Sequence, residues 1–171
     1  PSQSTRVSVV DINSFEFEKT ITVSLNPNYI YSDSDGDVYV ICMSDYSDDK
    51  SYIVQRIDAK TDEVKTVEGI KAYKTVADDI AYIMFNDYYA NEVKYYKYDL
   101  KNEKLLSDNF ITDGTVVSSP NGIGVDPVTG DIYVGKSNKK NNGDVYVFSS
   151  EGKLKSQFET LPYPADFVFM T

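Results

Sequence analysis

The sequence predicts an all-β fold of the β-propeller type, built from four-stranded antiparallel blades. Three observations predict it. A two-strand unit recurs four times, as Val7–Ile21, Tyr52–Val67, Lys94–Phe110 and Val145–Phe158; each is an alternating strand, a polar turn and a second strand. The turn residue recurs as Asp11, Asp58 and Asp99, with Ser149 in the fourth place, at steps of 47, 41 and 50 residues. A period in the forties made of short strands is the signature of a propeller blade. Period-two alternation is strong along the chain, whereas helical periodicity is weak.

With strands labelled A (inner) to D (outer), the elements follow in order. Residues 6–24 read as strands C and D of one partial blade (1–24). Full blades follow at about 27–68, 70–111 and 120–159, and a closing strand at about 165–170 reads as A of a further blade. The B strands are the clearest: Asp37–Met43, Asp79–Phe85 and Asp131–Gly135, each after an acidic or glycine turn. Three inner strands follow Pro27, Pro120 and Pro164, and proline is tolerated at the first position of a strand. The blade at 70–111 lacks that proline, and Ala72–Val76 takes the inner role by position. The chain holds about four blades, and most propellers close with more, so the expectation is the C-terminal half of a larger ring. The ending Ala165–Thr171 reads as a natural C-terminus. Residues 165–170 and 6–24 supply A, C and D of one blade, with B coming from a missing N-terminal half or from another copy. Open blade edges invite such self-association.

The composition narrows the function. Asp and Glu number 27 against 17 Lys and Arg, a net charge of −10. That charge repels phosphate backbones and anionic membrane surfaces, so neither nucleic acid nor a membrane is an expected partner. No apolar run approaches the length of a membrane helix. There is no histidine, which removes the commonest general base and transition-metal ligand. The single cysteine, Cys42, sits in an apolar run and reads as a buried small hydrophobe, and no intrachain disulfide can form.

Acidic turns invite a metal reading and do not support it. Counting from Asp33, an EF-hand loop needs glycine sixth and glutamate twelfth, where this chain has Val38 and Ser44. Asp33–Asp37 and Asp126–Asp131 read as A–B hairpin turns, and Asp45–Asp49 as a solvated loop. No Ser-His-Asp or Cys-His arrangement is possible without histidine, no phosphate-cradling glycine loop occurs, and no catalytic residue, metal site or cofactor is expected.

The repeat suggests where a ligand would bind. B–C and D–A loops emerge on one face of each blade. The B–C loops Asp45–Lys50 and Asp87–Asn91 carry tyrosine just after aspartate, and the D–A loops include Thr112–Ser119 and Thr160–Tyr163. Exposed tyrosine offers flat apolar area with a polar tip. The candidate ligand-binding residues are therefore Tyr46, Tyr88, Tyr89, Asn91, Asn138 and Tyr163. Packing against neighbouring blades is the competing role for these tyrosines.

Val7–Asp11, Asp126–Val134 and the Pro-Asn lead-ins resemble the YncE/YVTN-type propellers. The acidic character, the tyrosine content and the ending Pro164–Met170 are similar to the DUF5074-like surface lipoproteins of gut Bacteroidetes, often labelled surface-layer proteins. The resemblance implies a non-catalytic protein at the outer-membrane surface, lipid-anchored in its intact form. Some members of that group capture cobalamin and hand it to an outer-membrane transporter. The alternatives are a surface-layer or protein-interaction scaffold and a propeller enzyme of the lyase or lactonase type.

Overall fold

The computed structural model describes residues 4–43, 52–72, 74–77, 79–87, 91–138 and 140–170, with side chains at all of these except 74–77 and 87. The described residues hold fourteen strands and no helix. They fall into two compact units, within 1–73 and 74–171.

In the first unit, β1 (Arg6–Val10) and β2 (Phe17–Thr22) form a two-stranded antiparallel sheet. Strands β3 (Pro27–Ser32), β4 (Val38–Cys42), β5 (Ile53–Ile57) and β6 (Val64–Val67) form a four-stranded sheet in chain order. Its second strand is buried on both faces: Tyr39, Val40, Ile41 and Cys42 are each at most 1 % exposed. That is why Val38–Met43 reads as a continuous apolar run rather than a strict alternation. Val40, Cys42 and Ile57 make a core with Val23, and Val7 and Ile21 of the two-stranded sheet pack onto it. Full burial of such a side chain contributes roughly 1.5–3 kcal/mol.

The second unit holds two four-stranded sheets, each again in chain order. One contains β7 (Lys74–Ala77), β8 (Ile80–Asp87), β9 (Glu92–Asp99) and β10 (Lys104–Ser107). The other contains β11 (Pro120–Val125), β12 (Ile132–Lys136), β13 (Gly143–Phe148) and β14 (Leu154–Thr160). Strand β11 lies against β7 and β8. Ala81–Phe85 of β8 and Val145–Phe148 of β13 are buried throughout. The last strand of each sheet is more polar and more open: β10 and β14 are exposed along nearly their whole length. The inner strand expected at Ala72–Val76 runs instead as Lys74–Ala77, because the Ala72 amide donates to the Tyr52 carbonyl at 2.9 Å.

The recurring turn aspartates have one structural job. The Asp11 carboxylate accepts the amides of Asn13 (2.9 Å) and Ser14 (2.7 Å), and Asp58 accepts those of Lys60 and Thr61 (both 2.9 Å). Asp99 accepts the Asn102 amide at 2.9 Å, and Asp126 accepts that of Val128 at 2.8 Å. A short acceptor folding back on its own turn is what Asp supplies best. The residue closing the turn is left-handed: Phe15 (φ 58°), Asp62 (φ 60°), Glu103 (φ 47°) and Gly130 (φ 72°). Ser149 stands in the fourth place with a weaker acceptor, 3.4 Å from the Lys153 amide, and Gly152 takes the left-handed position.

The calcium-like run is spent on a hairpin. Asp33 accepts the amides of Asp35 and Asp37, both at 3.0 Å. Asp37 pairs with the Arg56 guanidinium and accepts the Ala59 amide at 2.9 Å. Among the described residues no group of three or more acidic or cysteine side chains is placed to hold a metal ion.

Residues 165–170, expected as an inner strand, pair in none of the four sheets. They lie on the β11–β12 face, held by side chains: the Tyr133 ring meets Phe167 at 5.8 Å and Phe169 at 5.2 Å. The segment comes so close that a Cβ on Gly122 would stand 2.5 Å from the Ala165 carbonyl oxygen, and one on Gly135 would strike the Pro164 carbonyl. Glycine is required at both positions by this approach.

Candidate ligand-binding surface

The connections between successive sheets within each unit differ in length, and the longer one borders a cleft. Residues 23–26 join β2 to β3, whereas twelve residues, 108–119, join β10 to β11. Twelve residues exceeds the roughly 4–6 typical of such connections, and loops carried on a rigid scaffold often bear binding residues.

The long connection is tied at several points. The Phe110 amide donates to the Tyr95 carbonyl at 2.8 Å, and the Tyr95 hydroxyl donates to the Val117 carbonyl at 2.7 Å. One residue of β9 thus clasps the connection near both ends. The Phe110 ring is buried edge-on against Tyr82 (5.6 Å) and Tyr95 (5.4 Å). Farther along, the Thr112 amide donates to the Gly152 carbonyl at 2.9 Å. The Asp113 carboxylate accepts the amides of Leu154 (2.7 Å) and Thr115 (2.9 Å), and these bonds hold its pKa below the ordinary 3.8.

Between the connection and the start of β9 lies a cleft of about 460 Å³, open to solvent. Val93, Tyr95 and Ile111 supply apolar wall; Asn91, Lys94 and Asp108 supply polar groups. Val116 on the connection is 81 % exposed at its edge. Lys94 and Asp108 are the charged groups of the lining, and Lys94 also pairs with Glu92 beside it at 3.7 Å. Concave walls of mixed apolar and polar character are what small-ligand sites need.

The groups with disturbed acidity are structural. Burial pushes the Tyr95 phenol well above the ordinary value of 10, so it stays a neutral donor. Burial likewise raises the Cys42 thiol to about 11, which leaves it unreactive near neutral pH. The hydrogen bond that Lys155 donates to Asp131 at 2.5 Å raises the pKa of the Lys155 ammonium above its ordinary value.

Of the candidate residues, Asn91 lines the cleft, exposed and left-handed at φ 51°. Asn138 does not; its amide donates to the Asn142 carbonyl (2.8 Å) and to Asp144 (3.2 Å), which shapes its own loop. Tyr163 is 53 % exposed with φ 60° and also lies outside the cleft lining. Tyr46, Tyr88 and Tyr89 lie outside the described residues. Lys94, Tyr95 and Asp108, which the sequence did not single out, also line the cleft. The length of 108–119 was the available signal, because it marks one connection as unlike the others.

No family model matches this chain, and no curated protein is similar to it. Solved structures are. The Dos1 propeller superposes with a TM-score of 0.65 at 12 % identity, over 95 % of this chain and 44 % of that one. Hydrazine synthase of Kuenenia stuttgartiensis superposes with a TM-score of 0.68 at 14 % identity, over 92 % of this chain and 44 % of that one. The chain thus spans less than half the length of either protein. At such identity the likeness is one of fold alone: these sheets are blades of a β-propeller.

Proposed function

We propose that this chain is a non-catalytic binding segment, with its ligand held in the cleft between β9 and the 108–119 connection. The observation that carries the reading is that connection: twelve residues, clasped by Tyr95, leaving about 460 Å³ between an apolar wall and a polar rim. Such a volume suits one ring system or one arm of a larger ligand rather than all of it. The ligand we put first is a cobalamin-like corrinoid, on the strength of the sequence resemblance. Its amide arms suit the Asn91 and Lys94 rim, and Tyr88 and Tyr89 precede that rim in sequence. Capture at the outer-membrane surface and transfer to a transporter belong to the same proposal and rest on that resemblance. The non-catalytic part is supported by the chemistry available: the thiol and the buried phenol are held protonated, and Asp33, Asp37 and Asp131 are engaged in turns and ion pairs.

The test is gel filtration with light scattering in excess cyanocobalamin, read at visible wavelengths. The reading expects red absorbance to travel with the protein and to fall at least fivefold in Asn91→Ala and in Tyr88→Ala/Tyr89→Ala, without change in the folded spectrum. A colourless protein peak removes the corrinoid. Co-elution that both variants leave unchanged removes the cleft.

A further inference from the structure

We infer that the ligand of the cleft presents a carboxamide to the backbone of Val93, an inference that rests on the reading of that cleft as the binding site. The starting observation is an interrupted ladder in the middle of the chain. Strand β13 pairs with β14 along its whole length, from Gly143 to Phe148. Strand β9 pairs with β8 along its whole length, but with β10 only at Lys97, Tyr98 and Asp99. The β10 register slips between Leu105 and Ser107, and beyond it a single parallel bridge joins Tyr95 to Asn109.

The β8–β9 register has no slip, so backbone groups of β9 alternate strictly between the β8 side and the outer side. The Leu100 amide donates to the Asp79 carbonyl on the β8 side at 2.9 Å, whereas the Tyr95 carbonyl accepts the Phe110 amide on the outer side at 2.8 Å. Odd-numbered residues therefore turn their N–H and C=O outward. Tyr95 gives its carbonyl to the connection. Val93, two residues earlier, lies past that bridge, and among the described residues no strand pairs with it on the outer side. Asn91, Val93 and Tyr95 all line the cleft, so the cleft lies along this edge.

Val93 thus offers one donor and one acceptor side by side, aimed the same way. A carboxylate would satisfy the N–H but oppose the carbonyl. An ammonium or guanidinium would satisfy the carbonyl but oppose the N–H. A carboxamide supplies both complements in one plane, as a neighbouring strand would. Asp108 in the lining and Glu92 beside it further disfavour an anion. The Val93 and Ile111 side chains give the body that carries the amide an apolar wall.

The test is NMR titration of the isotope-labelled 171-residue chain with three probes of one ring type. Benzamide carries the N–H and the C=O; methyl benzoate and N,N-dimethylbenzamide keep the carbonyl and lack the N–H. A saturable shift of the Val93 amide is expected with benzamide, with at least fivefold weaker binding of the other two. Val93→Pro removes the outward donor without taking a bond from β8, and it should weaken benzamide at least fivefold while the β8 resonances hold their places. Should that variant unfold, the three probes decide by themselves. Equal binding of the three, read at Ile111 and Val116, overturns the carboxamide and leaves the cleft as a binding site. Absence of a saturable Val93 shift with benzamide also overturns it, and corrinoid co-elution then decides the cleft separately.

Discussion

In Tyr95→Phe the ring stays and one hydroxyl goes, so the variant isolates the clasp on the long connection. The ring keeps its edge contact with Phe110 and the backbone carbonyl keeps the Phe110 amide. What is lost is the 2.7 Å bond to the Val117 carbonyl, in a residue that is only 2 % exposed. A buried acceptor left without its donor costs about 1–3 kcal/mol, and each kcal/mol lowers Tm by about 2–4 °C in a chain of this size. Urea unfolding would read the loss, and amide exchange at Thr115–Ser118 would localise it. An alkaline series adds a second signature. The phenol ionises near 10 in the unfolded chain and higher in the folded one, so the folded state keeps a proton that the unfolded state gives up. Its contribution is therefore complete below pH 10 and is lost as pH rises above it, with a slope of at most about 1.4 kcal/mol per pH unit. Tyr96 and Tyr98 are raised in the same direction and remain in the variant, so the difference between the two proteins belongs to Tyr95. A loss under about 0.5 kcal/mol with unchanged exchange in 115–118 would refute the clasp.

Gly135→Ala places a methyl group against the Pro164 backbone, and overpacking of this kind costs about 1–3 kcal/mol. Thermal melts should show the loss, and truncation after residue 160 should largely abolish the difference between variant and wild type. Acid should weaken the turns together. Amide hydrogen bonds depress the pKa of Asp11, Asp58, Asp99, Asp113 and Asp126 below 3.8. Their contribution is complete above that value and is lost as pH falls below it, so the urea midpoint should hold from pH 7 to 5 and fall between pH 4 and 2. NMR titration of these carboxylates should give midpoints under 3.8, and ordinary values would contradict the turn geometry.

The parts of the fold that were legible in the sequence are those decided by neighbours in the chain. Asp11, Asp58 and Asp99 announce their turns because each carboxylate bonds amides two or three residues on. The B strands announce themselves because burial on two faces demands unbroken apolar runs. The cleft depends on contacts of long sequence separation, such as Tyr95 with Val117, and no local pattern encodes a hydroxyl reaching 22 residues ahead. Residues 165–170 show both sides. Their alternation is local and predicts a strand, but ladder pairing needs a second strand, and alternation carries no information about whether one is present. Gly122 and Gly135 mark the close approach, yet a glycine in a strand has several meanings until the approaching backbone is seen.

The strict chain order of the sheets bears on how the molecule assembles. In the three four-stranded sheets every strand pairs with its immediate successor. Each hairpin can therefore close without waiting for a distant segment, and the loop entropy spent per ladder is small. Low contact order within each sheet speeds its formation. Packing one sheet on the next then becomes a separate, later event, as expected of repeat architectures in which stability is a sum over units and their junctions. A module that closes on itself in this way can also be copied in tandem without losing its own fold.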